Sequence, residues 1–147
     1  MFLLRVFILL LASGSICFAE VARPSNLKVV GVEDDTPTEC RAFFHETGWE
    51  GSWDNVRPHE LWIESIHKDC TAQVVYSFGV RPGKNDVAGY FRIIKAEIKD
   101  NTMSFNIPSS TAKITVLYKL DNDTLSGTWQ SSLSTNKPAT ALLIKRK

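Results

Sequence analysis

The feature that most constrains this chain is how short its interruptions are. After Gly48 the sequence becomes a succession of runs rich in Val, Ile, Thr and aromatic residues, each bounded by turn-forming residues. Eight runs stand out: Trp49–Trp53, Glu60–His67, Ala72–Phe78, Tyr90–Ile98, Thr102–Ile107, Lys113–Leu120, Thr124–Gln130 and Thr140–Lys145. Breaks such as Lys99-Asp100-Asn101 and Asp121-Asn122-Asp123 are far too short for a parallel crossover, which needs a dozen or more residues. Neighbours in sequence are therefore antiparallel neighbours in space. A long meander either closes or exposes two edges, so the expectation is an all-β fold, an eight-stranded antiparallel up-and-down barrel. No stretch sustains the 3.6-residue apolar period of a long helix.

Alternation assigns the faces. Met103, Phe105 and Ile107 oppose Thr102, Ser104 and Asn106, while Ile114, Val116, Tyr118 and Leu120 oppose Lys113, Thr115 and Lys119. The Glu60–His67 run is less regular, because Trp62 and Ile66 fall opposite Leu61 and Ile63. Something should cover its outer side, and residues 20–47 are the candidate. That stretch is polar and punctuated by proline (ARPSN, GVEDDTPTE), and it reads as an extended N-terminal arm whose patch Leu27, Val29, Val30 can add an edge strand.

Residues 1–19 read as a secretory signal peptide: Arg5, an apolar run, then small residues, with cleavage expected between Ala19 and Glu20. Lipidation of Cys17 is the alternative, but Ile16 stands where such a signal prefers Gly or Ala. A secreted or periplasmic chain with an even pair, Cys40 and Cys70, is expected to form a disulfide tethering the arm. Removing Arg5 with the signal leaves sixteen basic and sixteen acidic residues. A neutral mature chain carries no electrostatic footprint for nucleic acid or an anionic membrane, and no transmembrane segment is expected in it.

Two glycine–tryptophan signatures lie far apart. In GWEGSWDN, Trp49, Gly51 and Trp53 share a face; in LSGTW, Leu125, Gly127 and Trp129 do the same. A glycine on a crowded inner face removes a side chain and permits strong coiling. Gly51, Trp53 and Gly127 are therefore read as structural, each glycine making room for the tryptophan two residues on. The longest break in the barrel region, GVRPGKNDVAG from Gly79 to Gly89, is read as a mouth loop. Arg81, Lys84 and Arg92 near it suit an anionic head group. Tyr76, Phe78, Tyr90, Phe105, Tyr118 and Trp129 are the inward candidates for an aromatic pocket.

The chemistry of catalysis is thin. No Ser occupies a Gly-x-Ser-x-Gly elbow, and the histidines, His45, His59 and His67, all lie near the first hairpin. His45, Glu46, His59 and Glu60 have metal-ligand types without a spacing that shares one strand face, and are read as exposed surface residues. Neither enzymatic activity nor a cofactor is expected.

The sequence Gly51-Ser52-Trp53 near the start of the first barrel strand resembles the Gly-x-Trp signature of lipocalins and other calycins, with Arg146 roughly where lipocalins stack a basic residue on that tryptophan. The series GWEGSWDN, LWIESI, AQVVYSFG, GYFRIIKAEI, TMSFNI, AKITVLYKLDNDTLSGTW is similar to small bacterial lipocalin-like domains of uncharacterised role, secreted or attached to hydrolases; it spans residues 48–147. The resemblance implies a monomeric barrel for a small apolar or amphipathic ligand, with an envelope protein or hydrolase as a candidate partner. The chain lacks the Thr-Asp-Tyr motif and its strands are short, which argues against a deep cup. Trp53-Asp54-Asn55 also echoes avidin, but Val56-Arg57-Pro58-His59 lacks the Gly-Ser that should follow, so biotin is not expected. Two other readings stand beside the ligand barrel. One is a protein- or carbohydrate-interaction module displaying Trp62 on its outer wall; the other is a filled structural barrel that docks to an envelope partner.

Overall fold

Asp and Asn stand where the chain must turn back on itself. Asp54 and Asn55 (φ 49° and 58°), Asp100 and Asn101 (50° and 57°) and Asn122 (52°) all take the left-handed conformation. These residue types tolerate it best after glycine, and it matches the twist of tight hairpins. In the computed structural model, which describes residues 20–147, these are three of the turns among eight barrel strands: β2 (Trp49–Trp53), β3 (Arg57–Ile66), β4 (Thr71–Phe78), β5 (Gly89–Lys99), β6 (Thr102–Ile107), β7 (Ile114–Asp121), β8 (Thr124–Ser131) and β9 (Ala139–Lys145). The expected signal peptide and Cys17 lie outside the described residues.

Each strand pairs antiparallel with the next, and β2 pairs with β9, so the sheet closes as an eight-stranded barrel. No edge of the meander is left open. The first strand among the described residues, β1 (Gly31–Val32), lies parallel to the end of β3, Gly31 opposite Ser65. It falls just after the expected patch: Val29 and Val30 are exposed. A four-residue helix, α1 (Thr38–Arg41), follows it.

One end of the barrel is plugged. Cys40 and Phe43 enter the core there, and the indole of Trp49 donates to the Phe43 carbonyl at 2.9 Å. Cys40 is bonded to Cys70 in the β3–β4 turn, Cα to Cα 5.6 Å, which fixes the arm as the cysteine pair required. Leu61, Ile66, Met103, Leu125 and Leu143 fill the interior above the plug. The opposite end carries the longer connections, residues 79–88, 108–113 and 132–138.

Two bulges change which residues face inward. In β3 the register shifts between Ile63 and Ser65, so Glu64 is the extra residue and Ile66 rejoins the core face. In β5, Val74 pairs with Ile93 and Ala72 with Ala96, leaving Ile94 and Lys95 as the bulge. Counting back from Ile98, strict alternation puts Arg92 and Tyr90 inside. The bulge reverses this: Ile93 and Phe91 point in, while Tyr90 is 45% exposed.

The arm does cover the outer side of β3, and the covering is polar. Arg23 donates to Glu60 (Nε to Oε2 2.6 Å), and the indole of Trp62 donates to the same carboxylate at 2.9 Å. Arg23 and Arg146 both lie over the Trp62 ring, 5.6 and 5.1 Å from its centroid. Arg146 therefore stacks on Trp62, not on Trp53 as the lipocalin resemblance implied. Trp62 itself is only 9% exposed, which leaves no outer-wall aromatic platform at this position. Four residues along, Glu64 accepts from Arg92 (3.1 Å) and from the backbone N–H of Lys28 (3.0 Å). Glu60 and His59 are buried rather than surface residues.

Candidate functional site

The unplugged end of the barrel is hollow. A cavity of about 500 Å³ opens there, walled by Trp53, Tyr76, Phe78, Phe91, Ile107, Ile114 and Trp129, with Arg57 and Arg81 at its rim. These positions come from the mouth-side ends of successive strands, so closure of the sheet brings together residues spread from β2 to β9.

The ring system under the cavity is continuous. Tyr76 lies 4.6 Å from His59 and 6.1 Å from Phe105, centroid to centroid, and Phe105 lies 6.0 Å from Tyr118. Trp53 contacts His59, Tyr76 and Tyr118 at 5.2 to 6.3 Å. Such spacings are those of favourable offset and edge contacts between aromatic rings. Phe105 and Tyr118 thus form the support beneath the cavity, and Tyr76 and Trp53 its floor.

His59 is the polar centre of that support. Its Nδ1 lies 2.7 Å from the Ser77 carbonyl and its Nε2 2.6 Å from the Tyr118 hydroxyl. A carbonyl only accepts, so Nδ1 carries the hydrogen. Burial pushes the imidazole pKa down to about 4, against the opposing effects of the Ser77 bond and the Glu60 charge, so near neutrality the ring is uncharged. Nε2 then accepts the Tyr118 proton. Burial also raises the pKa of both phenols, Tyr76 against the opposing effect of the Arg57 charge, and so both remain protonated.

Tyr76 differs from Tyr118 in having no acceptor for its proton among the described residues. The Trp53 indole N–H, which makes no well-formed hydrogen bond in the protein, lies near enough to the Tyr76 oxygen to favour the phenolate. The floor of the cavity therefore ends in an unspent O–H donor.

At the rim, the Arg57 guanidinium lies over the Phe78 ring (4.4 Å to its centroid) and donates to the carbonyls of Gly79 and Val87, pinning both ends of the mouth loop. Arg81 is clasped by Asp86 within the loop at 2.6 and 2.8 Å, and this bond holds the Asp86 pKa down to about 2. Arg81 is thus neutralised by its own loop, whereas Arg57 has no carboxylate in salt-bridge reach among the described residues.

Of the residues expected to form a pocket, Tyr76, Phe78, Arg81 and Trp129 line the cavity, and Phe105 and Tyr118 lie beneath it. Tyr90 and Arg92 are on the outer wall, placed there by the β5 bulge. Trp53, Arg57 and Phe91 are cavity residues that the sequence reading did not assign to it. For Arg57 the reason is that β3 starts ahead of the Glu60–His67 run and already passes through Pro58, opposite Ser52.

No protein-family model, no curated protein and no solved structure matches this chain. Its architecture, a closed eight-stranded antiparallel barrel with almost no helix, is consistent with a lipocalin-like fold.

Proposed function

We propose that this is an exported, lipocalin-like binding protein, not a catalyst, that takes a small, partly apolar ligand into the mouth of its barrel. One observation carries the reading: an open cavity of about 500 Å³, walled by aromatic rings, above a core that is otherwise filled. That volume falls within the range of sites for small organic ligands, about 300–1,000 Å³. The charge of Arg57 at the rim favours a ligand whose outer end is anionic. Export is supported by the disulfide, which persists in oxidising compartments. The interaction-module alternative rested on a displayed Trp62, and Trp62 is covered by two arginines.

The test is titration with 1-anilinonaphthalene-8-sulfonate, an anionic aromatic dye, against the protein and an Ala139→Trp variant that fills the mouth. Saturable one-to-one binding that the variant loses is expected. Dye binding that is absent, or is the same in the variant, would overturn the assignment.

A further inference from the structure

At the floor of the cavity one polar group, the Tyr76 hydroxyl, has hydrogen-bonding capacity unused among the described residues, and this decides what the inner end of a ligand must be. The Tyr118 O–H donates to His59 Nε2, and His59 Nδ1–H donates to the Ser77 carbonyl, so neither hydrogen is free for a ligand. The Trp53 N–H is buried beside Tyr76 and closed to a ligand. What remains is the Tyr76 O–H, which makes no hydrogen bond among the described residues and belongs to the cavity lining.

Building on the ligand-cup reading above, we propose that the Tyr76 hydroxyl is the cup's specificity contact, and that it selects a planar, largely apolar ligand whose inner end bears an uncharged hydrogen-bond acceptor such as a ketone, amide carbonyl or ring nitrogen. A hydrocarbon end would leave the O–H unpaired in an apolar enclosure, which costs what a missing buried hydrogen bond costs. An ionised carboxylate would be stripped of water over a neutral imidazole and two protonated phenols, with the cationic side chains at the rim rather than at the floor. A donor-only group such as an ammonium would find at the floor only the weakly accepting Tyr76 oxygen, since the carboxylate of the lining, Asp54, lies in the β2–β3 turn. The aromatic walls, Phe78, Phe91 and Trp129, match a flat body, and Arg57 then meets the outer end.

The experiment uses two probes that differ only in the acceptor: 9-fluorenone-2-carboxylate, with a ring ketone, and fluorene-2-carboxylate, without it. Each is titrated calorimetrically into the protein and into Tyr76→Phe. The ketone is expected to bind about 3–10-fold more tightly to the unaltered protein, the ratio that one neutral hydrogen bond provides. In Tyr76→Phe the two probes should bind equally, and the hydrocarbon at least as tightly as to the unaltered protein because no O–H is left unpaired, which also shows that the cup still forms. Equal binding of both probes to the unaltered protein would overturn the Tyr76 assignment and leave the cup standing, and so would a ketone preference that survives in Tyr76→Phe. Binding of neither probe would remove the cup reading itself and this inference with it.

Discussion

The Trp53 indole occupies the space that a side chain at Gly127 would fill: its Cη2 lies 3.1 Å from where a Cβ would stand, with Tyr118 Cε1 at 3.0 Å on the other side. The two glycine–tryptophan signatures are therefore halves of one contact across the barrel. The glycine of the second signature admits the tryptophan of the first, not the Trp129 that follows it in sequence. Gly127→Val should force Trp53 and Tyr118 apart and lower stability by about 1–3 kcal/mol. Urea denaturation measures this, and an unchanged midpoint would mean that Trp53 does not rest on Gly127.

Gly51 is needed for a different reason. A Cβ there would stand 2.1 Å from the Leu142 carbonyl oxygen, so backbone, not a side chain, is in the way. The strand pair that closes the barrel, β2 with β9, runs through this point. Because backbone cannot rotate aside, Gly51→Ala should itself be costly, by about 2 kcal/mol or more, which is large for a single added methyl. A melting temperature within a degree of the unaltered protein's would show that β2 and β9 do not approach so closely.

Much of this architecture was legible because turn chemistry and alternation agree: the eight runs read from the sequence are the eight barrel strands, with ends displaced by no more than a few residues. The irregular Glu60–His67 run also signalled correctly that something covers it. The faces of β5 were not legible, because Ile93 and Ile94 are both apolar and either parity satisfies the pattern. Only the three-dimensional register reveals that Ile94 is the bulged residue, 78% exposed. The burial of His59 was equally hidden. A lone polar residue between Pro58 and Glu60 gives no hint of a carbonyl and a phenol waiting on two other strands.

Acid should destabilise the protein well above the pH at which carboxylates titrate. His59 holds its proton only below about pH 4 when folded, whereas an unfolded imidazole takes one near 6.5. Between these values the unfolded chain binds more protons, so stability falls as the pH drops through that window and is fully present above it. The loss amounts to about 3 kcal/mol once both limits are passed. Glu60 acts in the same direction at lower pH. Burial would raise its pKa, but hydrogen bonds from Arg23 and Trp62, and the charges of Arg23 and Arg146, outweigh burial and lower it. Its contribution is lost as pH falls through that lowered value. Denaturation at pH 7.5, 6.5, 5.5 and 4.5 should show the first decline, and a flat profile would rule out a buried neutral imidazole.

The Cys40–Cys70 bond closes a loop with a sequence separation of 30 that contains the whole of β2 and β3. Constraining a loop of this size in the unfolded chain stabilises the fold by roughly 3–4 kcal/mol. The Cys40→Ala, Cys70→Ala double variant should show that loss in its denaturation midpoint. The mass of the unreduced protein should also be two hydrogens below that of the reduced one. Two free thiols in the unreduced protein would contradict the tether.

Glu60 is where the arm, the barrel wall and the C-terminal strand meet, since Arg23, Trp62 and Arg146 all converge on one carboxylate. Removing the carboxylate and removing one of its partners should therefore differ. In Glu60→Ala the indole N–H of Trp62 is left buried without its acceptor, a loss of about 1–3 kcal/mol. In Arg23→Ala, Glu60 keeps Trp62 and Arg146, and the partly exposed Arg23 gave up little hydration to begin with, so the cost should be smaller. The two variants should agree in one respect, a faster amide exchange of Val30 and Glu33. These N–H groups bond to the Glu64 and Ile66 carbonyls and hold the arm along β3. Exchange that stays slow in both variants would mean that β1 and the disulfide alone keep the arm in place, and that the Glu60 cluster serves the barrel wall instead.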